Sequence, residues 1–249
     1  MDKDFLTGYR EPDKITSPRE FDNIKNGDFR VNLHIHTNKS DGHMSPQEYL
    51  EMSKIYADKV AKIHPNSDIP PYMSNTSDHN NIEASKEIIA SMAEEPEKYK
   101  NFKFVSGSEF MFLDKESSFK FPGFEAMGLG FNPFDAELNQ RIQSMNPPEL
   151  IPTIKKDGGI VSYVHPIKNL QGNGMEPEFI EYLKNKGVNS IEANYQYLSQ
   201  RNDDSVKQAI EESHRVAEKN NWFKTGGTDT HSGNIFGIRA KNILDELLN

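Results

Sequence analysis

Two histidines separated by one residue, His34 and His36, stand in the run Val31-Asn32-Leu33-His34-Ile35-His36. Alternate side chains of an extended strand share a face, so both imidazoles point one way while Leu33 and Ile35 point the other. Taken alone, the pair fits two exposed histidines on an edge strand as well as it fits a metal site. The rest of the chain favours the metal site, because further donors recur downstream: Asp78-His79, Glu109, His165 and Asp229-x-His231. Asp229-x-His231 repeats the spacing of the first pair and again sets two donors on one face. Imidazole and carboxylate donors without thiolates suit zinc, manganese or iron, and so many of them imply more than one ion. Glu109 can bridge two ions with its two oxygens. Ions a few ångströms apart can hold a bridging hydroxide as nucleophile and stabilise both the attacking and leaving oxygens of a phosphoryl transfer, so no protein nucleophile is required.

The elements around these residues alternate between strand and helix. Ser45-Pro46-Gln47-Glu48 combines an N-cap, a proline at the first helical position and a capping-box glutamate. Tyr49, Met52, Tyr56, Val60 and Ile63 then follow at spacings of three and four, which predicts an amphipathic helix to about residue 62. A strand over 72–80 ends in Asp78-His79, a helix follows over 82–92, and an aromatic-rich strand over 102–113 carries Glu109 at its centre. A further strand covers 124–131, and two helical stretches flank Asn146-Pro147-Pro148. The strand at 160–166 is stopped by Pro166 just after His165. Beyond it the pattern gives a helix over 177–186 closed by Gly187, a strand over 189–194 carrying Glu192, and a helix over 203–220 that includes His214. A last strand enters 225–231, and a helix over 241–248 closes the chain. The alternation predicts an α/β fold with a largely parallel sheet. Five of the eight histidines fall at or near the C-terminal ends of different strands. Active sites of α/β barrels are built there, so a barrel is expected.

At 249 residues and 35% hydrophobic content the chain can bury the core of a single domain. We expect a polar lead-in segment over 1–28 and one domain over 29–249. The formal net charge of -9 is dispersed, which argues against a surface that tracks long nucleic acid. Bound divalent ions would make the field at the ligand cluster positive, so a small anionic substrate fits. Cysteine is absent, which excludes disulfides, thiolate zinc sites and a cysteine nucleophile. The N-terminus lacks an apolar signal core and no run approaches a membrane span, so a cytoplasmic protein is expected.

The ordered motifs His34-x-His36 with Ser40-Asp41-Gly42, Ser77-Asp78-His79-Asn80, Gly107-Ser108-Glu109, Val164-His165-Pro166 and Gly227-Thr228-Asp229-Thr230-His231 resemble the polymerase-and-histidinol-phosphatase (PHP) family. The resemblance implies a distorted seven-stranded β/α barrel with two or three divalent ions (Zn, Mn or Fe) at its C-terminal face, hydrolysing phosphoester bonds. It implies that His34, His36, Glu109 and Asp229 hold one ion, that Asp41, His79 and His231 hold another, and that Glu109 with His165 serve a third or shared position. His34, His36, Glu109, Asp229 and His231 would then carry catalysis. One departure stands out: similar proteins place a further histidine before a Leu-Gly-aromatic turn, where this chain has Met127. A thioether is a poor ligand for such ions, so either that position is weak or Glu125, two residues earlier on the same face, takes it. Asp78 is expected to orient a ligand imidazole rather than bind an ion. Lys168 and Arg201 follow strands on the ligand side and are candidate phosphate clamps, with ordinary surface charge an equal reading. His43 reads as an exposed residue at a helix start and His64 as a loop residue. The expected activity is hydrolysis of a small phosphomonoester or nucleotide. The alternatives are an exonuclease-like phosphodiesterase on short oligonucleotides, a non-catalytic metal-stabilised module, and an amidohydrolase. Neither long nucleic acid nor a membrane is an expected partner.

Overall fold

The structure is a computed structural model and describes residues 30–63, 72–113, 123–144, 147–166, 175–195 and 204–231. Helix α1 (Pro46–Ile63) starts as its local chemistry dictates. The Glu48 N–H donates to the Ser45 hydroxyl at 3.2 Å while Glu48 Oε2 accepts the Ser45 N–H at 2.8 Å, so two otherwise orphaned donors are satisfied reciprocally. Its apolar face buries Tyr49, Leu50, Tyr56 and Ala57 against Tyr72, Phe102 and Phe104. Those aromatic residues belong to a parallel three-stranded sheet of order β1 (Arg30–Asn32), β2 (Tyr72–Asn75), β3 (Phe102–Val105). Helix α2 (Glu83–Glu94) covers the same face with Ile88, Ile89 and Met92, and a short 3₁₀ turn follows at Pro96–Tyr99.

The second sheet has five strands in the order β4 (Gly107–Leu113), β5 (Gly123–Leu129), β6 (Ile160–Tyr163), β7 (Ser190–Tyr195), β8 (Phe223–Gly227). Helices α3 (Ala136–Ser144), α4 (Pro147–Lys156), α5 (Pro177–Lys186) and α6 (Asp204–Asn220) contribute to its core. Alternation along the strands divides that sheet between two cores. Phe110, Phe112, Phe124 and Ala126 join the helices, whereas Met127 and Leu129 join Leu33, Met73, Val105, Ile160 and Val164 in a smaller core shared by the two sheets.

The expected seven-stranded barrel with a largely parallel sheet is not what forms. Among the described residues the strands make two sheets with no closed barrel, and two of the pairings, β4 with β5 and β5 with β6, are antiparallel. Two causes are visible. The expected single strand over 102–113 breaks at Ser106, where β3 leaves the first sheet and β4 opens the second. Gly107 marks the break: a Cβ there would stand 2.8 Å from the Thr76 carbonyl oxygen, too close for any other residue without a backbone shift. In addition, β4 and β5 pair over their full seven residues as neighbours in sequence, which an antiparallel pair permits and a parallel pair does not. The two sheets touch through isolated links: Leu33 N–H to Gly226 O at 2.9 Å, a parallel bridge between Ile35 and Thr230, and another between His79 and Glu109. Every candidate donor lies along this seam. No helix among the described residues is long and apolar enough to cross a membrane.

Candidate metal centre

Beyond β1 the chain stays extended, and its bonds to Gly226 and Thr230 hold Leu33 and Ile35 in the cores while His34 and His36 lie opposite, fully buried. Asn32 fastens the end of β8 to this segment: its amide donates to the Thr228 hydroxyl at 3.0 Å and its carbonyl accepts the Thr228 N–H at 3.1 Å. Gly227 makes the approach possible, because a Cβ there would sit 2.2 Å from the His34 Cβ. The same link brings Asp229 and His231 beside the histidine pair. Asp229, His165 and Asn80 each adopt φ of 49°, a left-handed conformation that costs non-glycine residues about 1–3 kcal/mol and clusters at functional sites.

Glu109 lies at the centre of the arrangement. Its Oε2 is 3.2 Å from His34 Nε2, 3.3 Å from His36 Nε2 and 3.4 Å from His79 Nδ1, while Oε1 is 3.5 Å from His165 Nδ1. Asp229 Oδ1 lies 3.6 Å from His34 Nε2 and 3.4 Å from His36 Nε2, and its Oδ2 is 3.4 Å from His165 Nε2. Toward solvent, Asp41 Oδ2 stands 3.1 Å from His231 Nε2 and 3.6 Å from His79 Nε2, and Asp41 Oδ1 is 3.5 Å from His36 Nδ1. His231 is oriented by its own turn, its Nδ1 lying 3.0 Å from the Asp229 carbonyl oxygen, so that a proton there leaves Nε2 facing Asp41.

These separations fit a metal centre better than a hydrogen-bond network. Donor atoms about 2.0–2.2 Å from a shared tetrahedral ion stand about 3.3–3.6 Å apart, whereas N–H···O bonds centre near about 2.9–3.0 Å. Both ring nitrogens of His36 and Oε1 of Glu109 are buried without a hydrogen bond. Unsatisfied buried polar atoms of this kind are costly unless a ligand completes them. Four overlapping groups could each hold an ion: His36, Asp41, His79 and His231; His34, His36 and Asp229; Glu109, Glu125 and His165; and His34, His165 and Glu192.

The charges are mutually stabilising. Burial alone would raise the Glu109 carboxyl, but His34, His36 and His165 outweigh it and hold the group far below the usual carboxylate range. Asp229 is likewise depressed, with His165, His36 and His34 overcoming its burial. In the reciprocal sense, burial would lower the imidazoles. Glu192 and Glu109 instead raise His34, Asp229 and Glu109 raise His36, and Asp229 and Glu125 raise His165.

All eight residues expected as ligands, namely His34, His36, Asp41, His79, Glu109, His165, Asp229 and His231, converge at this centre. Their sorting differs in part from the expectation, because His36 faces Asp41 as well as Glu109 and Asp229. Glu125 also arrives, its Oε2 3.1 Å from His165 Nδ1. Met127 is fully buried in the core between the sheets and accepts a hydrogen bond from Asn75 Nδ2 at 3.4 Å. Asp78 does not take the role expected of it. It accepts the Thr37 N–H at 2.7 Å and the Thr37 and Ser40 hydroxyls, each at 2.8 Å, and so braces the turn that presents Asp41. His43 is exposed in a bend before α1 and donates its N–H to the His231 carbonyl. Lys168, Arg201 and His64, together with the expected lead-in segment and the expected C-terminal helix, lie outside the described residues. Sequence reasoning left Glu192 out of the site. Its only sequence signal is a carboxylate set between the apolar Ile191 and Ala193 on a strand.

No family model matches the chain, and neither does any curated protein. Among solved structures it is similar to that of an amidohydrolase from Chromobacterium violaceum, determined with bound sulfate and no metal. The likeness has a TM-score of 0.56 at 15% sequence identity and covers 82% of this chain and 88% of that one. A likeness at that identity is one of fold: this chain shares its overall arrangement with an amidohydrolase.

Proposed function

We propose that the protein is a metal-dependent hydrolase of the PHP type that cleaves the phosphoester bond of a small phosphomonoester or nucleotide. The observation that carries the reading is the seam itself, where five imidazoles and the carboxylates of Asp41, Glu109 and Asp229 face one another at metal-ligand spacing and His36 and Glu109 keep buried atoms without hydrogen bonds. Two or three divalent ions, zinc, manganese or iron by the character of the donors, would supply Lewis acidity and activate water at neutral pH. His34, His36, Glu109 and Asp229 would hold the buried position. Asp41, His79 and His231 would hold the outer one. Glu109 presents its two oxygens to different imidazoles and so couples His34, His36 and His79 to His165. Asp41, His79 and His231 are 53%, 38% and 38% exposed, which makes their side the open face where substrate would enter. Lys168 and Arg201 remain candidates for holding the phosphate.

The five ordered motifs support a phosphoester substrate, and the dispersed charge of -9 supports a small one rather than long nucleic acid. The shared fold with an amidohydrolase favours one second reading, cleavage of a carbon–nitrogen bond at the same centre. Metal analysis of the purified protein, followed by assays on an aryl phosphate and an aryl amide, tests both. Metal-dependent release from the phosphate supports the proposal, release from the amide alone replaces it, and a protein that binds no divalent ion refutes both.

A further inference from the structure

Glu192 lies on β7 between Ile191 and Ala193, whose side chains enter the helix-covered core, so its own side chain projects from the opposite face, toward the seam. The register with β8 shifts between Glu192 and Asn194, an irregularity of the kind that re-aims a side chain beside an active site. The carboxylate is fully buried, and both of its oxygens are engaged. Oε1 is 3.0 Å from His34 Nδ1, and Oε2 accepts the backbone N–H of His165 at 3.1 Å. On its other side the His34 ring turns Nε2 toward Glu109 and Asp229.

We propose that Glu192 is a positioning residue which fixes His34 with its proton on Nδ1 and its Nε2 lone pair directed at the metal centre, while fastening the His165 backbone to the same point. The inference rests on the metal-centre reading given above. It follows from donor and acceptor counting: a carboxylate accepts at both oxygens, and both atoms facing Glu192 are N–H groups in this arrangement. An amide cannot replace it. With its nitrogen toward His165 it would confront another donor, and with its nitrogen toward His34 it would force the imidazole proton onto Nε2 and remove the ligating lone pair. Partners of this kind hold ligand histidines in the required tautomer, and their loss weakens metal binding by about 10- to 100-fold.

The test compares wild type with Glu192→Gln and Glu192→Asp, reading zinc or manganese affinity by chelator competition. It also reads the imidazole tautomer by long-range ¹H–¹⁵N NMR of the metal-free protein at alkaline pH, with the His34 signals assigned by their loss in His34→Asn. We expect wild-type His34 to carry its proton on Nδ1. Glu192→Gln should lose that signature and bind metal about 10- to 100-fold more weakly, and Glu192→Asp should recover part of both. An unchanged tautomer and affinity in Glu192→Gln overturns the proposal. So does loss of a bound ion with the tautomer intact, which would make Glu192 a ligand. Should Glu192→Gln fail to fold, Glu192→Asp decides: affinity lowered at least threefold with a shifted Nδ1 signal supports the proposal, and wild-type behaviour overturns it. Wild type that binds no divalent ion would refute the metal-centre reading, while the tautomer measurement would still judge Glu192 on its own.

Discussion

Replacing Glu109 by glutamine keeps the shape of the side chain and removes its charge from the middle of the centre. Its carboxylate lies 3.2–3.4 Å from imidazole nitrogens of His34, His36 and His79. At that range one pair of unit charges is worth about 5 kcal/mol with an effective dielectric constant of about 20. Part of that is offset by the carboxylate's own desolvation, and removing one partner of a buried charge pair costs about 3–5 kcal/mol net. Transferred to a cation held by the same oxygens, this is a loss of about a hundredfold to a few thousandfold in affinity for the tightest ion. Chelator competition on Glu109→Gln should show that loss, accompanied by loss of hydrolysis, with circular dichroism confirming that the chain remains folded. A folded variant whose metal affinity lies within threefold of wild type, with activity retained, would refute the reasoning and remove Glu109 from the centre.

The metal-free protein should lose stability as pH rises. His34, His36 and His165 are raised above the ordinary histidine value, so the folded state keeps protons that the unfolded chain has released. Their contribution is complete below about pH 6.5 and declines as pH climbs through the raised values, and metal ions should cancel the trend by displacing those protons. Melting curves of chelator-treated protein from pH 6 to 9 check this, and a rising melting temperature over that range would contradict it. Glu125→Ala should weaken the position shared with Glu109 and His165, whereas Met127→Leu should leave metal content unchanged at a stability cost under about 1.5 kcal/mol, because Met127 packs in the core between the sheets. Equilibrium dialysis of both variants separates these outcomes. A small phosphoester should be cleaved with shallow salt dependence between about 50 and 200 mM, and catalytic efficiency should not rise with oligonucleotide length. A steep salt slope together with rising efficiency on longer chains would instead favour the exonuclease reading.

Much of the site is legible in the chain because it depends on residue type and short spacing. His34-x-His36 places its donors on one face through the period of an extended chain, whereas Asp229-x-His231 lies past the end of β8, where Asp229 turns with φ of 49° and the turn rather than strand alternation sets the pair. The start of α1 is equally local, since Ser45 and Glu48 satisfy one another within a single turn. Residues 177–186 and Gly187 form α5 and its left-handed cap as expected, because only neighbouring backbone is involved. Strand pairing is different, for it joins residues far apart in the chain. Alternating strands and helices suggested one parallel barrel, but the break at Ser106 depends on how closely Gly107 approaches Thr76, and the antiparallel β4–β5 pairing depends on which neighbour each strand finds. The roles of the second carboxylates were hidden for the same reason. Asp78 looked like the orienter because it adjoins His79 in sequence, yet it braces the turn at Thr37 and Ser40. The carboxylate that meets the His34 imidazole at Nδ1 is Glu192, 158 residues away along the chain. The sequence by itself determined which donor atoms are present and which share a strand face. Only the tertiary structure decided which of them meet, because hydrogen bonds between sheets and the close approach of Gly227 to His34 are set by packing that no local pattern encodes.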